Sequence, residues 1–260
     1  MPQTDPNVEA HARVEPSASV ILLRSAAPGM EVFLMRRAST ASTYGGTYVF
    51  PGGKVDPEDS VPARSDRLDL LPQQMHDALG EPALTLPQAT ALHVAAAREL
   101  HEEAGVLLAV SALAPWSRWI TPLLKDQVRR RFDTRFFLAR MPPDQTACVA
   151  NSENTAGVWL SPRAAIERYW ERAIELSPPQ LMTLAHLARF DSAEAAFDHA
   201  RRSKPPLVEP VLFEVDALSA FCYPGDDRHP VAARAFPGIT RLARRDGRLE
   251  PFDGFEAFFD

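Results

Sequence analysis

Apolar positions open the chain in two short runs, Ser17 to Leu23 and Glu31 to Arg36, separated by Ala26, Ala27, Pro28 and Gly29. Runs of this length around a proline and a glycine predict a strand, a turn and a second strand. A further apolar run, Tyr48 to Phe50, breaks at Pro51, Gly52 and Gly53 before an acidic loop. Glycines in that position let the backbone pass close to a ligand or to a helix. From Leu86 to Val106 the spacing becomes helical, and Leu92, Ala96, Leu100 and Ala104 form an apolar stripe that predicts a core-facing side. Pro87 suits the first turn of that helix, where its missing amide proton is harmless. The alanines at 95 to 97 favour the helix and permit close approach to a sheet, and Gly105 supplies a left-handed cap.

Val106 to Val110 and Phe132 to Ala139 then read as strands, connected through TPLLKDQVRRR between Thr121 and Arg131. Ser161 is predicted to begin a helix through Trp170, with Pro162 in its first turn and Glu171 to Leu176 as an extension; Ser177 to His186 and Ala193 to Arg202 predict two more. Pro205 to Val215 and Gly247 to Phe252 look extended, with Asp246 and Gly247 as a hairpin turn after Leu242 to Arg245. The stretch from about Val61 to Leu86 carries Pro62, Pro72 and Pro82 around a short helix near Leu68 to Leu79. So long an excursion inside a compact domain suggests a partly ordered flap near a binding mouth, packed down by Leu68, Leu70, Leu71, Met75 and Leu79. Met1 to Pro16 is polar and proline-bearing, and reads as a flexible arm rather than a signal peptide.

Bulk properties narrow the class. With 260 residues, 45% of them hydrophobic, the chain can bury a sizeable core. Its net charge of −6 argues against general affinity for nucleic acid or for an anionic membrane surface. No apolar run approaches the ~20 residues of a membrane-spanning helix. The two cysteines, Cys148 and Cys222, make no disulfide framework and suit a reducing, cytoplasmic setting. Cys148, beside Val149, reads as a packed thiol rather than a nucleophile.

The chemistry concentrates on the predicted helix. Glu99, Glu102 and Glu103 stand at i, i+3 and i+4, where helical side chains are neighbours. Three acids so placed repel one another, and a hard divalent cation would compensate them. A solvated acidic face beside Arg98 and His101 is the plain alternative. Elsewhere, Arg129 to Arg131 form a basic run that is either solvated or a counter-charge for a phosphate. Trp116 and Trp119 fit a core better than a base-stacking platform. Asp226, Asp227 and His229, flanked by Gly225 and Pro230, fit a turn better than a metal site.

Taken together, Gly53, Asp59 and the run Arg98, Glu99, Leu100, Glu102, Glu103, Gly105 and Val106 resemble the Nudix box: Gly, five residues, Glu, seven residues, then Arg-Glu-apolar-x-Glu-Glu-x-Gly-apolar. The second half matches at every specified position. In the first half Asp59 replaces the glutamate, with Glu58 adjacent, and Arg98 follows Asp59 by 39 positions (98 − 59) where the pattern has eight. An insertion inside the box is similar to the branch of the Nudix superfamily that includes peroxisomal coenzyme A diphosphatases. Ser19 to Ser39 and Arg118 to Ala139 also resemble that branch, although the terminal Phe258, Phe259 and Asp260 do not resemble a Ser-Lys-Leu peroxisomal address.

The resemblance implies an α/β fold, an α/β/α sandwich around a mixed sheet, with a long insertion in the box and a helical C-terminal extension. It implies a Nudix domain over residues 17–175 with an insertion at about 61–86, and an extension at 176–260 that packs on the core or on a second copy of the chain. It implies Mg2+ or Mn2+ held by Glu99, Glu102 and Glu103 with Asp59, and Arg98 orienting a glutamate. Glu153, in a stretch similar to the acidic loop before the strand that ends in Trp-apolar-Ser-Pro, becomes an added ligand or base, so that Glu99, Glu103 and Glu153 all remain candidates for the base. Arg36, Arg37, Gly52, Gly53 and Arg131 become substrate contacts. The implied reaction is hydrolysis of a pyrophosphate bond in a small nucleotide, coenzyme A or its acyl esters first. ADP-ribose or NADH stays close behind, because RRASTASTYGGTYV lacks the Leu-Arg-x-His-x-Gly-Gln run of many coenzyme A-cleaving relatives. A non-catalytic nucleotide sensor is the reading from another class, and the intact glutamates speak against it.

Overall fold

The computed structural model describes residues 14–39, 45–60, 68–123, 130–150 and 153–260. In chain order these form strands β1 (Val14–Ser25), β2 (Met30–Arg37), β3 (Tyr48–Val49) and β4 (Gly52–Lys54), a 3₁₀ turn at Pro57–Ser60, and helices α1 (Pro72–Leu79) and α2 (Leu86–Ala104). Then come β5 (Ala114–Ile120), β6 (Arg131–Arg140), β7 (Asn154–Leu160), α3 (Pro162–Trp170), α4 (Pro178–Leu187) and α5 (Ala193–Arg202). The chain ends with β8 (Leu207–Val208), β9 (Val211–Val215), β10 (Leu218–Cys222), β11 (Arg241–Arg245) and β12 (Arg248–Glu250).

Eight strands make one mixed sheet in the order β3-β2-β1-β6-β5-β8, with β4 added on β1 and β7 on β2. The strand β1 lies at its centre, antiparallel to β2 and β4 and parallel to β6. Alternation along a strand divides its side chains between the two faces. Ala18, Val20 and Leu22 of β1 pack with Leu92, Ala96, Leu100 and Ala104 of α2. Ile21 and Leu23 turn to the other face, into a cluster with Ile166 of α3, Leu181 and Leu184 of α4 and Phe197 of α5. The result is an α/β/α sandwich. Helix α2 begins where the sequence predicts, with Thr85 accepting from the Gln88 amide, a proline in the first turn and Gly105 at φ +69° as its cap.

The C-terminal third is helical through α5 and then becomes a four-stranded antiparallel sheet, β12-β11-β10-β9. Its Phe221, Tyr223, Leu242 and Leu249 join the same buried cluster as α3 and α4. The Asp246–Gly247 turn between β11 and β12 forms as predicted, with both residues at positive φ. Among the described residues, no helix is long and apolar enough to cross a membrane.

Several segments depart from the sequence reading. The described chain is already in β1 at Val14, two residues before the predicted end of the N-terminal arm; residues 1–13 lie outside the described residues. Val106 to Val110 is not a strand: the Leu107 amide and carbonyl bond to the Gln145 side chain, at 2.8 and 2.9 Å, instead of to a ladder. The predicted extension of α3 through Leu176 stops at Trp170, where Arg172 turns to φ +64° and the Ala173 amide returns to the Arg168 carbonyl. Cys148 is exposed rather than packed. Residues 61–67 of the insertion lie outside the described residues, but its later part is a packed brace and not a flap. There α1 buries Met75 and Leu79, leaving Leu71 exposed, and Glu81 is bonded by Arg118 and Arg135 at 2.8 and 2.6 Å.

Candidate active site

The glycine break after β3 does what its sequence suggests, and the helix it admits is α2. A Cβ on Gly52 would lie 2.5 Å from the Ala18 carbonyl oxygen, and one on Gly53 would lie 2.4 Å from Glu99 Oε1. With no side chain in the way, the Gly52 amide donates to Glu103 Oε2 at 2.8 Å. The other oxygen, Glu103 Oε1, accepts from Asn154 Nδ2 at 3.1 Å. Glu103 is buried, anchored on one side by the β4 backbone and on the other by the first residue of β7.

Arg98 organises the remaining acids. Its Nε and Nη2 donate to the two oxygens of Asp59 at 3.0 and 2.9 Å, a planar two-point contact that only a guanidinium provides. Its Nη1 donates to Glu99 at 2.8 Å and to Glu102 at 3.0 Å, and Nη2 also reaches the Lys54 carbonyl at 2.9 Å. Asp59 is buried in the 3₁₀ turn and accepts from the Asp56 amide as well. The 39 positions that separate Asp59 from Arg98 in sequence thus close to a hydrogen bond.

Burial pushes the Glu99 carboxyl up to about 7, with Glu103 and Glu102 adding to the rise and Arg98 opposing it. Burial also raises Glu103, against the lowering effects of the Gly52 amide, Asn154 and Arg37. Arg98 is held firmly protonated, chiefly by its hydrogen bond to Asp59. Carboxyls this costly to ionise gain most from a nearby positive charge. Among the described residues, however, no three acidic, histidine or cysteine side chains converge as a ligand cluster. Arg98 draws Glu99 and Glu102 to one side, while Glu103 is held on the other.

The remaining sequence candidates divide. Arg37 joins the group: its Nη2 is 3.4 Å from Glu153 Oε2, and its charge acts on Glu103. Glu153 is largely exposed beside it. Arg36 is exposed and follows Val32 and Leu34 to the opposite face of the sheet. Arg131 lies apart, registered with Val14, donating to the Thr121 carbonyl at 2.8 Å and to Glu209 at 3.3 Å. Its neighbour Arg130 is exposed, and Arg129 falls outside the described residues. Trp116 and Trp119 are buried in the core, as expected. Asp226 forms a turn with the Arg228 amide and is bonded by Arg241. Asn154 was not anticipated: it stands beside Glu153, and nothing but tertiary contact marks it as Glu103's partner.

Comparison with known proteins finds similar sequences and a similar fold. The family model of the NUDT19 Nudix domain matches residues 109–187. The acyl-coenzyme A diphosphatase NUDT19 of Xenopus laevis is 24% identical over 77% of this chain and 71% of its own length. Putative nudix hydrolase 7 of Caenorhabditis elegans is 24% identical over 81% and 72%. In the pattern of its glutamate helix, in these relatives and in its fold, the chain is similar to Nudix hydrolases. The crystal structure of a NUDIX hydrolase from Alicyclobacillus acidocaldarius shares its fold, with a TM-score of 0.58 at 23% identity over 74% of this chain and 97% of that one. The matched span begins after α2, so the resemblance of its glutamates to the Nudix box rests on their own sequence pattern.

Proposed function

We propose that this chain is a Nudix enzyme that hydrolyses the pyrophosphate bond of coenzyme A or an acyl-coenzyme A, with Mg2+ or Mn2+ held by Glu99, Glu102 and Glu103. The observation that carries the reaction is the placement of Glu99 and Glu103, both costly to ionise, against the Gly52–Gly53 backbone. The donor set fits a hard divalent ion, since it offers carboxylate oxygens whose burial a cation would offset. When bound, the ion supplies positive charge against the diphosphate and acidifies a water molecule. Asp59, with both oxygens bonded by Arg98, serves as the brace that holds Arg98 and through it Glu99. Arg37 stands where it can meet a substrate phosphate, and Gly52 and Gly53 keep that approach open. The NUDT19 relatives of Xenopus laevis and Gallus gallus, named acyl-coenzyme A diphosphatases, support the choice of substrate.

Coenzyme A, acetyl-coenzyme A, ADP-ribose and NADH incubated with Mg2+ or Mn2+ and resolved by chromatography test this reading. Coenzyme A or its acetyl ester should be cleaved in preference, giving adenosine 3′,5′-bisphosphate and a 4′-phosphopantetheine, and chelation should abolish cleavage. Preferential cleavage of ADP-ribose or NADH would overturn the substrate. Glu103→Gln should lose at least about a thousandfold in kcat with its circular dichroism unchanged; activity near wild type would overturn the site. Among Glu99→Gln, Glu103→Gln and Glu153→Gln, the general base is the one that loses kcat while Mn2+ affinity is retained.

A further inference from the structure

Resting on that reading of Glu103, we propose that Asn154 is a positioning residue, which fixes the Glu103 carboxylate between two neutral donors and keeps it out of an ion pair with Arg37. The acids of α2 are held in two different ways. Glu99 and Glu102 are gripped by the guanidinium of Arg98, at 2.8 and 3.0 Å. Glu103 accepts from two neutral donors, the Gly52 amide at 2.8 Å and the Asn154 carboxamide at 3.1 Å. A neutral donor orients a carboxylate without cancelling its charge, so the charge stays available to a cation or a water proton.

The place of Asn154 in the sheet explains the residue type. It is registered directly across from Arg37 on β2, and Glu153 precedes it. The charge of Arg37 acts on Glu103. Both Glu103 oxygens accept from neutral donors, Asn154 on one and Gly52 on the other, and Arg37 pairs with the exposed Glu153. Substituting an acid at 154 would set a second carboxylate against Glu103. A residue with no donor would free Oε1 to turn toward Arg37.

The test uses the full chain and Mn2+ as probe, titrated calorimetrically without substrate, beside steady-state kinetics. Asn154→Ala should weaken Mn2+ and lower kcat by about 10- to 100-fold, with KM changed less than threefold. Asn154→Asp, equal in size, should lose more than Asn154→Ala. Adding Arg37→Met to Asn154→Ala should restore part of the Mn2+ affinity. If Asn154→Ala binds Mn2+ within twofold of wild type and keeps its kcat, with or without a lower melting temperature, the residue is merely structural and the proposal fails. Should Asn154→Ala not fold, Asn154→Asp carries the test, and Mn2+ affinity within twofold of wild type would overturn it. The Mn2+ titration does not depend on which diphosphate is the substrate, so an error in substrate choice is distinguishable from an error here.

Discussion

Single residues at this site are constrained by what they touch, and the two adjacent glycines show how differently. An added Cβ on Gly52 meets backbone, the Ala18 carbonyl at 2.5 Å and Ser19 Cα at 2.6 Å, which cannot step aside. Gly52→Ala should therefore cost about 3 kcal/mol in urea unfolding. On Gly53 the added Cβ meets the end of the Glu99 side chain, which can rotate away. Gly53→Ala should lose less than about 1 kcal/mol of stability yet lower kcat at least tenfold. Equal stability losses for the two variants would contradict this account. Sequence disclosed the types of these residues and the spacing of Glu99, Glu102 and Glu103. It did not disclose Asn154, because an asparagine in a polar stretch carries no signal until β7 brings it to Glu103.

At the scale of elements, α2 was the most legible, since an apolar stripe, a first-turn proline and a capping glycine all state the same helix. The misread elements lacked such agreement. Val106 to Val110 has the apolar run of a strand but finds its partner in Gln145. The end of α3 at Trp170 has no glycine to announce it. The strand β10 went unread because its turn from β9 uses Asp216 and Ala217 at positive φ, where a glycine would have been the expected sign. Helix α2 also carries a pH dependence. His93 is fully buried against Phe137, and burial lowers its pKa from 6.5 to about 4. Between those values the unfolded chain binds the proton and the folded chain does not, so this contribution to stability is complete above pH 6.5 and is lost as pH falls toward 4. Comparing wild type with His93→Leu in urea at pH 7 and 4.5 should show the wild type losing about 2 kcal/mol more than the variant on acidification. A parallel decline would exclude His93 as the cause.

Across the whole molecule, the described part of the insertion is tied to the sheet through charge. Glu81 lies between Arg118 and Arg135, and both arginines also bond to Asp133. Arg135 is almost fully buried, and taking away one member of a buried ionic group leaves its partner uncompensated. Glu81→Gln should lower stability by about 3 kcal/mol in urea. Adding Arg135→Met should recover part of that loss, because the stranded charge goes with it. No recovery in the double variant would mean that Glu81 acts by packing and not by charge.

What the sequence determined by itself is the local part: the helix α2, the glycine break before it, the acids on its last turns and the pattern they compose, which resembles the Nudix box. These follow from spacing along one element, which the order of residues states directly. The tertiary structure alone decided that β1 lies between β2 and β6, that Asp59 crosses a long insertion to brace Arg98, and that Asn154 and not Arg131 reaches the glutamates. Each of those depends on how far apart in sequence two contacting groups can be, and a chain's own periodicity holds no record of its partners across space.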